Sequence, residues 1–214
     1  TYYVLSNGTV NAAISTKTST PKKIRVAIST TGFKNLYHEN VILSSDENFT
    51  ISINDEVINL KSGETFNALE SHELGNKGRL IIKSDSDGGK IRLNSIKRTW
   101  TNNESPKYRG IIEISKTPKG YVIVNELSLE EYLYAVVPSE MPSSHGLEAS
   151  KVQAVTARSY AFNQYYANKY HVYGANVDDS VNCQVYNNIP ENDTSIKAVN
   201  ETRGQCITYN DTVV

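Results

Sequence analysis

The chain has 214 residues, of which 38% are hydrophobic and 21% charged, and its 22 basic and 23 acidic residues leave a formal net charge of -1. Such a composition is typical of a globular protein with a buried core. The balanced charge argues against nucleic acid as a partner, because no global basic field is present to hold a polyanion. No run approaches the roughly 20 consecutive apolar residues of a membrane-spanning helix. Since residue 1 is Thr, we expect that a signal or anchor segment has been removed from this chain.

The first half of the chain predicts short strands. Residues 1–23 are rich in Ser, Thr and Asn, and we interpret them as an extended arm or linker. From residue 24 to about residue 126, apolar residues alternate with polar ones in short runs separated by turn residues. The predicted strands are residues 24–29, 39–45, 49–60, 79–84, 90–96, 109–115 and 121–126. Residues 40–107 are a candidate β-rich inserted subdomain.

The second half predicts helices. Ser128 and Glu131 form a capping box, which predicts a helix from this point. Pro138 is expected to kink or end that helix, which would leave Glu140 in a following loop. A second helix is predicted over residues 147–166, followed by irregular chain with strand-like runs at 181–186 and 205–214. The predicted fold class is therefore α+β, with a strand-rich N-terminal part and a two-helix catalytic segment packed on a mixed or antiparallel sheet.

Glu140 is the most distinctive carboxylate of the sequence. The sequence has no phosphate-binding loop, dinucleotide fingerprint, zincin motif or hydrolase elbow. Glu140 lies between Pro138 and Pro142 beside apolar Val137 and Met141, and partial desolvation would favour its protonated form as a proton donor. The alternative is a solvated charge at the end of a helix. The later acids Glu148, Asp178 and Asp179 are interpreted as solvated charges.

A longer pattern places Glu140 in a family. Residues 131–162, which include VPSEMP and VQAVTARSYA, resemble the signature of the stage II sporulation protein D family, which also contains amidase enhancers. CQVY at 183–186, residues 198–211 and IRVAI at 24–28 resemble further segments of that domain. The resemblance assigns residues 24–214 to one catalytic domain. Because family domains normally continue beyond this point, we expect the C-terminal end to be incomplete.

The resemblance implies a lytic transglycosylase of peptidoglycan, with Glu140 as the single catalytic acid and base. Its substrate would be peptide-stripped glycan strands, cleaved between N-acetylmuramic acid and N-acetylglucosamine to a 1,6-anhydro product during sporulation or cell-wall remodelling. An extracytoplasmic, cell-wall-associated location and a partner amidase are implied as well. The alternative function is a non-catalytic wall-binding enhancer of an N-acetylmuramoyl-L-alanine amidase.

Four further residues are candidates for substrate binding. Ser139 and Tyr160 offer hydroxyl groups, and Gln153 and Arg158 are the polar members of an otherwise small and apolar helical segment. An arginine can hold a carboxylate or line a sugar groove through planar hydrogen bonds. The alternative for Arg158 is structural support, and for the tyrosine a place in the core or at its rim.

Metal binding is implied less directly. Some family members carry a zinc site on the Cys of the CQVY segment and a nearby His, but residues 187–191 contain no His here. Cys183 with His145 or His171 is the remaining candidate set for zinc, which needs four ligands or three plus water. A disulfide between Cys183 and Cys206 is the competing expectation. The sequence itself requires no cofactor.

Overall fold

The structure is a computed structural model that describes residues 2–6, 9–15, 22–54, 56–70, 78–98 and 104–214, with the backbone alone for 2–15. The strands are β1 Tyr2–Ser6, β2 Thr9–Ser15, β3 Lys23–Ala27, β4 Ile42–Ser45, β5 Phe49–Ile53, β6 Glu56–Leu60, β7 Thr65–Asn67, β8 Arg79–Ser84, β9 Ile91–Leu93, β10 Lys107–Tyr108, β11 Ile111–Thr117, β12 Gly120–Ser128, β13 Val177–Asp178, β14 Cys206–Tyr209 and β15 Thr212–Val213. The helices are α1 Leu129–Glu140, α2 Gly146–Ala167 and α3 Asp193–Glu201. The predicted α+β class is confirmed.

A seven-stranded mixed sheet forms the centre of the molecule, in the order β13-β3-β12-β11-β8-β5-β6. Its strands are antiparallel except for β13, which runs parallel to β3. The hairpin β11–β12 lies in the middle, and its predicted turn closes between Thr117 and Gly120. Gly120 has a φ of 130°, and a Cβ atom there would lie 2.6 Å from the His38 carbonyl oxygen. A glycine is therefore required where this turn approaches the neighbouring chain.

The region predicted as an insertion supplies a second, four-stranded sheet in the order β10-β9-β4-β7. Its buried residues Leu43 and Leu93 belong to the same hydrophobic cluster as Ile112 and Ile123 of the seven-stranded sheet. The two sheets thus share one core, which extends to the helices through Leu133.

A third sheet joins the two ends of the described chain, in the order β1-β2-β14-β15. The segment predicted as an arm contains the hairpin β1–β2, and β2 pairs with β14. Strand β14 therefore has a partner on each edge, β2 and β15. The incomplete C-terminal end stays a prediction.

Helix α1 begins as the sequence predicts but ends later. The capping box is present, since the Ser128 side chain accepts from the Glu131 amide and the Glu131 carboxylate accepts from the Ser128 amide. The prediction that Pro138 kinks or ends the helix is wrong, because α1 continues through Glu140. Pro138 lies in the last turn and removes one donor there, while Met141 N still donates to Val137 O at 2.8 Å.

The remaining helices confirm one prediction and correct another. Helix α2 spans the predicted range and buries the small side chains of Ala154, Ala157 and Ala161. Helix α3 was not predicted, although Asn192 and Ser195 form a capping box at its start. Residues 181–186 form turns and irregular chain rather than a strand. Within the described ranges, no helix combines the length and apolar character needed to cross a membrane.

Candidate functional site

Glu140 is the last residue of α1 and is exposed. Its Oε1 atom accepts a hydrogen bond of 2.6 Å from the Val185 amide. The expected partial desolvation is wrong, because the apolar neighbours Val136 and Val137 point into the core while Glu140 lies at the surface. Its placement matches the alternative of a charge at the end of a helix, with one fixed hydrogen bond added.

A short segment, residues 185–189, is fastened to the last turns of α1. The Asn187 amide donates to Ala135 O at 3.2 Å. The Ser139 hydroxyl donates to Ala135 O at 2.7 Å and accepts from the Asn188 and Ile189 amides at 3.2 and 3.0 Å. Together with the bond from Val185 to Glu140, four amides of this segment are bound by α1. The segment and the helix end therefore hold the Glu140 carboxylate as one unit.

A polar cluster surrounds Cys183, two residues before Val185. The thiol is half-buried, and the side chains of Tyr160, Tyr170 and Asp178 lie around it. Burial, reinforced by the Asp178 charge, raises the pKa of Cys183. Burial together with Cys183 raises the pKa of Tyr160 to about 12. The thiol and the phenols are consequently in their protonated forms at neutral pH.

The donor set around Cys183 does not fit zinc. Among the residues that the structure describes, no three His, Cys, Asp or Glu side chains are grouped so that they could hold a metal. His145 and His171 are exposed, and their Nδ1 atoms face the carbonyls of Pro142 and Asn168 at 3.1 and 3.0 Å. Cys183 and Cys206 are free, so the expected disulfide is absent.

Arg158 is inside the protein. Its guanidinium is fully buried and binds Glu130 through two hydrogen bonds, Nε to Oε1 at 3.0 Å and Nη2 to Oε2 at 2.7 Å. Nη1 donates to Gln205 O at 3.0 Å. A glycan would reach this group only if the ion pair opened, so the arrangement matches the structural alternative for Arg158.

The two other polar candidates on α2 lie on one stripe of the helix. Gln153 and Tyr160 are seven residues apart, which is about two turns, and both are half-buried. The side chain of Gln153 has no hydrogen-bond partner among the described residues. Tyr160 contacts the Cys183 cluster, whereas Ser139 is used to bind residues 188–189. The structure thus brings Glu140, Cys183 and Tyr160 into one neighbourhood through residues 183–185.

Of the three acids interpreted as solvated, one is exposed and two are buried. Glu148 is exposed and pairs with Lys151 at 2.8 Å. Asp178 and Asp179 are buried, which corrects that prediction. Asp178 accepts from the Ser180 hydroxyl at 2.9 Å, and Asp179 pairs with buried Arg98 at 2.5 Å. Burial raises the pKa of Asp179 against the opposing effect of the arginine. Both carboxylates are bound internally.

A cavity of about 230 Å³ lies beside the first half of α1 and is partly lined by residues 186–191. It is lined by four cationic side chains, each of which is in an ion pair: Lys90 and Arg109 share Glu191, and Arg92 and Lys107 share Asp46. Glu140 is not among its lining residues. We therefore place the candidate site at the Glu140 end of α1 rather than in this cavity.

Comparison with known proteins identifies this part of the chain. Residues 117–209 match the family model described as "Stage II sporulation protein" (SpoIID). Over this range the chain is similar to the stage II sporulation protein D and amidase-enhancer family. Glu140, Tyr160 and Cys183 all lie within the matched range. No solved structure matches the chain.

Three curated proteins extend the similarity. An uncharacterized protein of Brachyspira hyodysenteriae (strain ATCC 49526 / WA1) is 29% identical over 187 residues, covering 84% of this chain and 43% of its own length. The amidase enhancer of Bacillus subtilis (strain 168) is 28% identical over 193 residues, covering 77% and 23%. Stage II sporulation protein D of the same organism is 36% identical over 101 residues, covering 41% and 29%. The chain spans less than half the length of each relative.

Three features of the site were missed by the sequence analysis. The Val185 amide, Tyr170 and Asp178 complete the surroundings of Glu140 and Cys183. The sequence gives no indication of which backbone amide will bind a carboxylate. Tyr170 and Asp178 come close to Cys183 because of the way residues 168–183 fold, which local sequence patterns do not predict. The one available signal was the proximity of Cys183 and Val185 within the CQVY segment.

Proposed function

We propose that this domain acts on cell-wall peptidoglycan as a lytic transglycosylase, with Glu140 as its catalytic acid and base. The observation that carries the proposal is the state of the Glu140 carboxylate. Oε1 is oriented by the Val185 amide at 2.6 Å, while Oε2 has no hydrogen-bond partner among the described residues. An exposed carboxyl group with one oxygen fixed and the other free is suited to exchange a proton with a substrate that docks at the surface.

The proposed reaction needs one carboxyl group. Protonated Glu140 gives its proton to the glycosidic oxygen as the bond from that oxygen to C1 of N-acetylmuramic acid breaks. The resulting carboxylate then takes the proton of the C6 hydroxyl of the same sugar, whose oxygen forms the new bond to C1. The product is a 1,6-anhydro sugar, and no water is consumed.

The surroundings of Glu140 agree with a reaction that uses a single carboxyl group. Glycosidases that use water, or that form a covalent intermediate, place a second carboxyl group about 5–10 Å from the acid. Asp178 and Asp179 are the buried acids that follow in the chain, and both are held by internal hydrogen bonds. The hydrogen bonds of Ser139 to residues 188–189 restrict the segment that orients Glu140, which lowers the entropic cost of alignment.

The names of the relatives support the setting. The name of the amidase enhancer supports an amidase as the partner, and that of stage II sporulation protein D supports a role in sporulation. We propose peptide-stripped glycan strands as the substrate and an N-acetylmuramoyl-L-alanine amidase as the partner. An extracytoplasmic location belongs to the same proposal.

A second function is favoured by the extent of one match. The similarity to the amidase enhancer covers 77% of this chain, against 41% for stage II sporulation protein D. A non-catalytic protein that binds the wall and stimulates an amidase is therefore the alternative. In that case Glu140 would contribute to binding but not to bond cleavage.

Product analysis in isotopically labelled water separates the two functions. The protein is incubated with purified, peptide-free glycan in ¹⁸O-water, and the fragments are weighed by mass spectrometry. Lytic cleavage gives anhydro ends without ¹⁸O, whereas hydrolysis gives reducing ends that carry it. Intact peptide-free glycan, together with faster peptide release from peptide-bearing peptidoglycan when an amidase is added, would establish the enhancer and contradict the transglycosylase.

A further inference from the structure

A polar groove, different from the cavity beside α1, lies outside the range matched by the family model. It has a volume of about 560 Å³ and is lined by residues from 30–42 and 95–96. This volume is within the range of about 300–1,000 Å³ that is usual for small-ligand sites. The groove is formed where the chain leaves β3, before it enters β4.

Two asparagines in this groove present prearranged donors. Asn35 Oδ1 accepts from the Tyr37 amide at 3.0 Å, and Asn40 Oδ1 accepts from the Val41 amide at 2.8 Å. Because each carboxamide oxygen is held by the backbone, each NH₂ group is held too. Neither Nδ2 atom has a partner among the described residues. The Ser95 hydroxyl, beneath the groove surface, is buried and unpaired among the described residues.

The groove is nearly neutral, unlike the cavity beside α1. Glu39 is the one charged side chain among the described residues that line it. His38 is buried, and its Nε2 atom lies 2.8 Å from the Ile28 carbonyl oxygen, which takes the ring N–H. Amide and hydroxyl groups without matched charges fit a neutral, hydrogen-bonding ligand better than an ion.

A row of tyrosines connects the groove to the Glu140 site. Tyr37 lines the groove, and its ring lies 5.6 Å from that of Tyr173. The Tyr173 ring lies 6.4 Å from that of Tyr170, which packs in the same cluster as Cys183. Tyr37 and Tyr173 are half-exposed, so they offer apolar edges and hydroxyls to a sugar. From Cys183, two residues lead to Val185, the donor to Glu140.

We propose that this groove binds acetamido sugars of the same glycan strand, at a distance from the bond that Glu140 would cleave. The Asn35 and Asn40 donors would bind acetamido carbonyl or hydroxyl oxygens, and the tyrosine row would support the intervening sugars. The proposal rests on the proposed function for its ligand class, but it concerns binding and not cleavage.

The test measures binding in a protein that cannot cleave. The probe is the β-1,4-linked tetramer of N-acetylglucosamine, titrated into ¹⁵N-labelled Glu140→Gln protein and followed by NMR. In the same background, Asn35→Asp keeps the oxygen that accepts from Tyr37 but removes the NH₂ donor. Asn59→Asp makes the same change on an exposed position of edge strand β6 and serves as the control.

We expect amide shifts at residues 35–42, with affinity about fivefold to tenfold weaker for Asn35→Asp and changed less than twofold for Asn59→Asp. Equal affinity for the two variants, shifts confined to residues 183–189, or no binding of the tetramer would each overturn the proposal that the groove binds sugar. The product analysis of the wild-type protein is read separately. A protein that binds the tetramer in the groove but yields no anhydro product would keep this inference and lose the transglycosylase.

Discussion

Helix α1 carries a glutamate near each end, and the structure uses the two in opposite ways. Glu130 is buried, and both of its oxygens accept from Arg158. Glu140 is exposed and accepts one amide bond, from Val185. Both oxygens of the Glu130 carboxylate are bound within the protein, whereas Glu140 has one oxygen available. The difference distinguishes a structural acid from a candidate catalytic acid on the same helix.

The helix dipole strengthens the contrast. A negative charge in the first turn of a helix is stabilising by about 0.3–1 kcal/mol, and the same charge in the last turn is unfavourable. Glu130 is in the first turn and Glu140 ends the last one. The location of Glu140 therefore gains nothing from α1 itself, and the Val185 amide supplies a compensating donor.

The largest expected effect comes from breaking the buried ion pair between Glu130 and Arg158. Glu130→Gln leaves Arg158 as an uncompensated buried charge, and we expect it to lower the free energy of unfolding by about 3–5 kcal/mol. Glu140→Gln removes an exposed charge, so we expect a change within about 0.5 kcal/mol. Urea denaturation measures both. Similar losses for the two variants would contradict the division of roles.

The next effect concerns the segment that holds Glu140. Ser139→Ala removes the acceptor for the Asn188 and Ile189 amides, and we expect a loss of about 1–3 kcal/mol with faster hydrogen exchange at residues 185–189. Ser139→Thr keeps the hydroxyl and should restore protection. If Ser139→Ala leaves exchange of the Val185 amide unchanged, Ser139 does not help to position Glu140.

The chemical state of Cys183 provides a smaller test beside Glu140. Because burial and the Asp178 charge raise its pKa, the thiolate fraction is reduced. We expect iodoacetamide at pH 8 to alkylate the native Cys183 measurably more slowly than the same cysteine in the unfolded chain. Peptide mapping separates Cys183 from Cys206. Alkylation of native Cys183 at the unfolded rate would show that the cluster is open.

The smallest expected effect lies in the groove, far from both ends of α1. Burial lowers the pKa of His38 below 6.5, despite its hydrogen bond to Ile28. The unfolded chain therefore gains a proton before the folded chain does, so stability falls as the pH decreases below about 6.5. The contribution is at most about 1.4 kcal/mol per pH unit. His38→Gln should flatten the slope between pH 7 and 5.5, and an unchanged slope would contradict it.

Local patterns were sufficient for part of the fold. The capping box at Ser128, the range of α2 and the turn from Thr117 to Gly120 could be predicted, because each depends on neighbouring residues. The extension of α1 through Pro138 could not, because the last turn is bound to a segment distant in the chain, as in the bond from the Asn187 amide to the Ala135 carbonyl.

The candidate site was predictable only in outline. Glu140 was selected by its family resemblance and its prolines, but its exposure and its single amide partner follow from tertiary structure. The burial of Arg158 depends on Glu130, which lies 28 residues away in the chain. Asp178 and Asp179 are buried because β13 joins the edge of the central sheet beside β3, a pairing that no local period indicates.

The rate of anhydro-sugar formation by Glu140→Gln, measured beside that of the wild-type protein on the same peptide-free glycan, tests the central claim most directly. Loss of a general acid and base typically lowers a rate by about 10²–10⁴-fold. We expect a loss of at least about 10²-fold, with the free energy of unfolding unchanged. A variant that forms the anhydro product at the wild-type rate would contradict the assignment of Glu140.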